Sequence, residues 1–580
     1  MALNAAEYLQ TDDLTILLAL ISATLFLLNN LYKPQPLVHP ILLGRQSEAG
    51  RSRKPKESAI YRNYNTGLLG RFPLRPSKDV HIIADFVRPE VETSRTLWST
   101  KLTNGGLQDR VAAFATGLIR VAGLQPQKSK VLLLLNDCIE FVVSDLALAS
   151  HSIHSLTISS ATLLSPVLDA HPPSAIICHA FLLPHLLEFI YDTHGRQAER
   201  TIIVIGEPTA QAMASMASNV KILKFEDVER EGTKADKIFS PLPKPSDVFT
   251  TSFYKNSSGQ IQGAQFTHEN FTAGVAAIRA LFPAAMALSP LDTITSAYSL
   301  STAYGRAIAY TAIHDGTSFA TVQSSELFHP NENDVKSENV WTLTAKKYPI
   351  PSPTILFVKT GHLTSLVKAV DEVAKRSWLF PVAWRHKVAE IYEGFVTNQS
   401  LWDRLVFDGA RGQAAGPMGA SVRGVVVSGD LLDAELLTPA RAVLSVPLIN
   451  AFTHPLCAAP VLASHALDLQ AFPASGEVNR VAHSGPPSLN VEAKLVGVND
   501  SEVEAGGDPT GNLLIRGPPV GKTASLEKEQ SEPGSDSEYV DVGAADAKKS
   551  QTQSSEEDSW TSAEVKARVL SNGAFVVLGK

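Results

Sequence analysis

An α/β fold with parallel sheets covered by helices is expected from three observations. Short apolar runs without polar alternation recur, VLLLLN (131–136), AIIC (175–178), TIIVIG (201–206), TILFV (354–358) and VRGVVVSG (422–429), and a strand buried on both faces reads this way. Helical stretches lie between them; over 107–124, Val111, Phe114, Ala115, Leu118 and Ile119 share one face. Strands alternating with helices pack as parallel sheets with helices on both sides. Finally, 44% hydrophobic and 19% charged residues are the balance of a folded protein, and 580 residues are too many for one core, so two or three packed units are expected.

The first element along the chain is Leu14 to Tyr32, LTILLALISATLFLLNNLY, which carries no charge. About 19 residues at helical rise span roughly 28 Å, just enough to cross a bilayer. No basic stretch precedes it and no small-residue cleavage site follows, so a membrane anchor over 1–33 is expected rather than a signal peptide. Glu7, Asp12 and Asp13 lie before it, while Lys33, Arg45, Arg51, Arg53, Lys54 and Lys56 lie after it, which predicts a single-pass topology with the body in the cytosol. The last three residues are not a peroxisomal SKL signal, and the endoplasmic reticulum is the expected membrane. Residues 34–95, rich in Pro, Arg and Tyr, show no sustained period and read as a leader wrapped on the body or partly loose. Residues 524–559 are dominated by Ser, Glu, Asp, Lys, Gln and Gly, so a disordered acidic insertion is expected. Ser535, Ser537, Ser554 and Ser555 beside its acids are candidate phosphorylation sites, a plain solvated linker being the alternative.

Composition excludes some functions. A net charge of -7 supplies no basic field for nucleic acid. Cys138, Cys178 and Cys457 are far apart, and His268, His314 and His454 form no HExxH pair. They read as core or surface residues, not as a metal cage.

Chemistry enters at Asp247 to Asn270, DVFTTSFYKNSSGQIQGAQFTHEN. Small residues there let backbone N–H groups approach phosphate oxygens. The segment resembles the phosphate-binding loop of the adenylate-forming enzymes, FTSGTTGxPKG with a THxN ending. Phe253, Gly259, Gly263, Thr267, His268 and Asn270 match, and Ser257 and Ser258 stand for the two threonines. Further blocks follow in the family's order: PSPTILFV, LWDRLVFD with VRGVVVSGD, VPLINAFTHPLCAAP, GPPSLNVEAKLV and GNLLIRGPPV. LWDRLVFD is the most specific and points to the long-chain acyl-CoA synthetase branch. The resemblance covers about residues 100–580 and implies two layered αβ subdomains and a small β-rich subdomain. An AMP-binding synthetase-like domain then spans 96–523, with residues 560–580 closing it at the hinge and the family's C-terminal lid not following.

In that family ATP and Mg2+ activate a fatty carboxylate to an acyl-adenylate, which passes to CoA. The resemblance places nucleotide contacts at Ser257, Ser258, Gly259, Gly263, at Phe452 where a tyrosine stacks on adenine, and at Glu564 where an aspartate grips the ribose. The departures fall on the chemistry. Tyr254, Lys255 and Asn256 replace the threonine, serine and glycine that open the loop, Ile261 its proline, and Gln262 its lysine. Leu456 stands for the magnesium-binding glutamate, Thr302 and Gly305 for a histidine and a glutamate in SAYSLSTAYGR, and Lys580 for the hinge arginine. No residue is assigned a catalytic or metal-binding role. The expected function is a membrane-anchored, catalytically impaired synthetase-like protein that binds or regulates, with an acyl ligand but no nucleic acid as partner. An active ligase in which Lys255 covers for the lost lysine, and a product without function of its own, are the alternatives.

Overall fold

The computed structural model describes residues 12–31, 36–64, 72–194, 200–209, 220–238, 242–329, 338–470, 472, 481–526 and 560–579. Among them the chain builds three sheets. The first runs in the order Lys522–Ala524, Ile261–Thr267, Val248–Lys255, His154–Ile158, Lys130–Leu134, Ala175–His179, Arg200–Ile205 and Val220–Lys224. Its six strands from Val248–Lys255 onward are parallel, and the two at the other edge are antiparallel. The second places Pro460–Ala463, Leu448–Thr453, Gly424–Ser428, Ile355–Lys359, Thr293–Ser296, Ser318–Thr321, Arg95–Leu97 and Thr100–Leu102 side by side, parallel except at its two edges. All five apolar runs of the sequence are strands of these two sheets. The third, antiparallel, sheet joins Ser47–Arg51 and Ile60–Asn63 to Glu492–Val496, Thr510–Arg516, Thr561–Val569 and Phe575–Gly579.

The helix expected over 107–124 spans Asn104–Arg120, opened by Thr103, whose side chain accepts the Gly106 N–H. It packs so closely on the helix Phe225–Lys234 that a Cβ on Gly117 would lie 2.1 Å from the Val228 carbonyl oxygen, and one on Gly232 1.9 Å from that of Ala113. One continuous core holds Phe114 and Val131 of the first layer together with Ile294, Ile308 and Phe357 of the second. The leader belongs to this body: two of its strands extend the third sheet, and Ile83 and Phe86 are fully buried.

One expectation finds no support in the fold and one is corrected. The N-terminal segment is helical over Asp13–Leu31, yet no helix among the described residues is long and apolar enough to cross a membrane. Tyr32 lies outside the described residues. Second, Ala524 is not the start of a loose insertion but the last residue of a strand, paired with Gly263. Residues 527–559, with the candidate phosphorylation sites, and Lys580 lie outside the described residues.

The two parallel layers are tied by a buried ion pair. Arg306, 1% exposed on the helix Ala303–Asp315, donates to Asp145 at 3.2 Å, to Thr250 at 3.0 Å and to Ser252 at 2.7 Å. Tyr310, one turn further along that helix, also donates to Asp145. Removing one partner of such a pair leaves an uncompensated buried charge, commonly costing about 3–5 kcal/mol. Asp145→Ala is therefore expected to lower the urea midpoint of unfolding sharply, whereas Glu231→Ala, at an exposed pair with Lys234, leaves it within error; equal midpoints for the two variants would contradict this role.

Candidate functional site

The strand Val248–Lys255 runs out of the core, turns over Asn256–Gln260 and returns as Ile261–Thr267. The turn is closed by its own backbone. Asn256 N–H donates to Gln260 O, Gly259 N–H to Asn256 O, and Gln260 N–H to the Asn256 side-chain oxygen at 2.8 Å. Gly259, at φ +78°, supplies the left-handed residue this turn requires. Ser257 N–H donates to the Glu564 carboxylate at 2.7 Å. Four of the five N–H groups of residues 256–260 are thus engaged within the chain. An anion cradle needs such groups free. Here a carboxylate of the protein itself takes the anion's place at Ser257.

Glu564 reaches the loop through a local irregularity. It sits in the strand Thr561–Val569, where the pairing with Thr510–Arg516 shifts register, and its φ is +54°. A left-handed non-glycine residue at such a bulge re-aims its side chain.

Behind the loop the space is apolar. Tyr254 is 4% exposed, its ring edge-on to His454 with centroids 6.3 Å apart, and its hydroxyl donates to the Gln262 side-chain oxygen at 2.9 Å. Burial, reinforced by the Glu564 charge, pushes the Tyr254 phenol well above its ordinary pKa. Leu456, 2% exposed, belongs to the same packed cluster as Tyr254. The two positions where the resemblance puts a lysine and a glutamate thus hold an amide tied to a tyrosine and a buried hydrocarbon. Neither offers a charge to a phosphate or an oxygen to Mg2+, so the residues present do not fit an ATP–Mg2+ complex in the family's manner. Lys255 is exposed at the strand's end. Among the described residues no group of three or more His, Cys, Asp and Glu side chains is placed to hold a metal.

Of the residues assigned to a nucleotide, the structure brings Ser257 and Glu564 into contact and leaves Ser258 and Gly259 exposed at the turn. Gly263 lies inside the sheet, where an added Cβ would meet Thr251, Phe253 and Ala524 side-chain carbons at 3.0–3.2 Å. Phe452 is half-buried, paired with Leu462 and packed on the cluster that holds Ala563 and Val565.

The matching THxN residues have structural work. Thr267 and Asn270 form a reciprocal capping box at the start of the helix His268–Arg279, and Asn270 also donates to Pro518 O at 2.6 Å and Val520 O at 3.2 Å. His268 stacks on Phe249 at 4.9 Å, and burial holds its pKa down at about 4. Likewise Asp403 of LWDRLVFD is fully buried; it accepts from Lys387 at 2.6 Å and from Arg411. Tyr254 as a filler was legible only as a bulky residue where the motif has a small one. Thr302 caps the helix Ala303–Asp315, and a Cβ on Gly305 would lie 2.1 Å from Ser299 O, which leaves no room for the glutamate of the motif.

The profile of the family described as AMP-binding enzyme matches residues 93–523. The peroxisomal long chain acyl-CoA synthetase 7 of Arabidopsis thaliana is 24% identical over 408 residues, 68% of this chain and 52% of its own length. Long-chain-fatty-acid–CoA ligase 1 of Homo sapiens is 24% identical over 299 residues, 51% of this chain and 38% of its own. The chain thus spans about half or less of these relatives. Among solved structures, a long-chain-fatty-acid-CoA ligase from Archaeoglobus fulgidus has a TM-score of 0.56 at 13% identity, over 88% of this chain and 85% of that one, a likeness of fold.

If Tyr254 and Glu564 hold the loop closed, Tyr254→Thr combined with Glu564→Ala frees the Ser257 N–H and the space behind it. Millimolar ATP is then expected to raise the melting temperature of the double variant by a few degrees, since ligand at 100 times Kd stabilises by about 2.7 kcal/mol. The unmodified chain should show no ATP shift; a shift of equal size in both would refute the closed loop.

Proposed function

This chain belongs to the AMP-binding enzyme family, and we propose that it is a long-chain acyl-CoA synthetase-like protein whose ATP-dependent activation step is impaired and whose fold serves binding or regulation in lipid metabolism. The observation that carries this reading is the Ser257–Glu564 contact backed by Tyr254 and Leu456. Acyl-adenylate formation depends on positioning and on neutralising the charge of the transferring phosphoryl group. Each such electrostatic contact is commonly worth about 3–4 kcal/mol in the transition state. With Gln262 and Leu456 in the charged positions, this chain supplies none of that stabilisation from those side chains. An acyl ligand remains compatible with the reading; ATP, Mg2+ and CoA are the substrates and cofactor of an active enzyme of this family.

The test is AMP release and palmitoyl-CoA formation by the full chain with ATP, Mg2+, CoA and palmitate, beside the Arabidopsis relative as positive control. Turnover is expected at background, at least about 100-fold below the control. Turnover comparable with the control would replace this reading by that of an active long-chain fatty acid–CoA ligase.

The same proposal places the protein at a membrane, the endoplasmic reticulum, with its body in the cytosol. Its support is the helix Asp13–Leu31, on which Leu14, Leu17, Leu20, Ile21, Phe26 and Leu27 are 46–67% exposed. Each such side chain gains about 1.5–3 kcal/mol on leaving water, and the basic residues after it favour an anionic cytosolic surface. In a sucrose-gradient flotation assay the full chain is expected to rise with liposomes and the Leu17→Glu, Leu20→Glu variant to stay at the bottom; co-flotation of both would remove the helix as the attachment.

A further inference from the structure

A cavity of about 420 Å3 lies away from the phosphate-type loop, between the leader, the end of the helix His268–Arg279 and loops of the third sheet. None of Ser257, Phe452 and Glu564 lines it. Its walls are mostly hydrocarbon, from Ile41, Leu42, Ala277, Leu281, Ala463 and Leu489. Ile41 and Leu42 are 74% and 64% exposed, which makes the leader's side of the rim apolar as well as the interior.

Several polar groups interrupt this lining, Arg45, Gln46 and Ser488 among them. Gln46 is 9% exposed, and its amide nitrogen donates to Asp468 at 2.7 Å. A carboxylate only accepts, so the amide is held in this orientation and its oxygen faces away from Asp468. That oxygen has no hydrogen-bond partner. Ser488 is 3% exposed, and its hydroxyl also has none. Both residues line the same cavity, while these two atoms are themselves fully buried beneath its wall. At the rim, Arg45 lies over the Tyr64 ring, 5.6 Å from its centroid, which holds the guanidinium beside the opening.

A ligand that answers these features has an apolar body for the walls and an anionic head for Arg45. The volume is in the range of pockets that enclose small amphiphiles. The chain position adds a source: Val38, the first leader residue of the wall, follows the exposed apolar helix Asp13–Leu31 by seven residues. We propose that this cavity is a binding site for a single-chain anionic lipid presented at a membrane surface, separate from the nucleotide-type loop. A lysophospholipid and a free fatty carboxylate share the chain and the negative head, and the test separates them.

The test uses the full chain in phosphatidylcholine nanodiscs, irradiated with diazirine-bearing lysophosphatidate, fatty carboxylate or fatty alcohol, with labelled peptides mapped by mass spectrometry. Label from the anionic probes is expected in peptides covering residues 37–46 and 486–489. Ala280→Trp places an indole at an exposed lining position and should lower that label at least tenfold, as should Leu42→Asp, while melting temperatures are unchanged. Arg45→Gln should reduce labelling by the anionic probes and not by the alcohol. Labelling by the fatty alcohol as strong as that by both anionic probes would overturn the anionic head. Label confined to residues 13–31, or undiminished in both filled variants, would overturn the site. Because no nucleotide enters the assay, its failure and that of the impaired-activation reading are distinguishable.

Discussion

The architecture depends on holding one arginine and one aspartate in a place without water. Arg306 and Asp145 are 1% and 0% exposed, and removing two such charges from water costs several kcal/mol per ion. The cost is offset because nearly every lone pair and N–H has a partner. Thr157, Thr250 and Ser252 receive the guanidinium, Ser155 and Tyr310 donate to the carboxylate, and Phe271 lies 5.4 Å beneath the cation. Those partners come from strands His154–Ile158 and Val248–Lys255 of one sheet and from helices His268–Arg279 and Ala303–Asp315 that cover it and its neighbour. A rotation of either layer would strand the charge, so the relative placement of the two sheets is specified here more sharply than apolar packing alone would specify it.

That node also sets the candidate site. Thr250 and Ser252 lie on the strand that leads directly into the Asn256–Gln260 turn, with Phe253 and Tyr254 next in line. Alternation along the strand sends Thr250 and Ser252 to the ion pair and Tyr254 to the same side, two residues nearer the loop. A bulky ring at that step is therefore directed toward the His454–Leu456 segment, and it fills space that small residues would leave open. The loop's closure on Glu564 and the apolar filling behind it are two faces of one local sequence change.

What could be read from the chain alone follows from these physical differences. Strands buried on both faces announce themselves as VLLLLN or TIIVIG, and all five such runs are strands. The THxN and LWDRLVFD residues were readable as a resemblance, but their roles were not, since Asn270 also bonds Pro518, 248 positions away, and nothing local shows that Asp403 is buried between Lys387 and Arg411. Arg306 stood in SAYSLSTAYGR without any local sign that it is buried. Glu564 could be aligned with a ribose-binding acid, yet its reach to Ser257 across 307 positions rests on a bulge and a left-handed residue that no short-range pattern encodes. The N-terminal segment shows the opposite limit: its apolar content was plain and it is helical over Asp13–Leu31, while its relation to a bilayer is not a property of the segment's own sequence.

The matching and the departing positions divide along a physical line. Gly263, Thr267, His268, Asn270 and Asp403 each have a packing or capping role that would be lost on replacement, whatever the protein does. Gln262 and Leu456 occupy positions that need charge only if a phosphoryl group is to be transferred, and Tyr254 occupies one that needs to be small only if a nucleotide is to enter. Gly305 sharpens the distinction, because its contact with the Ser299 carbonyl excludes any side chain there, so the acid could not be restored without moving the start of a helix that carries Arg306. A side chain at position 305 would thus disturb the start of the helix that places Arg306 in the ion pair. The leader and the third sheet, by contrast, enclose space at the periphery without engaging that pair.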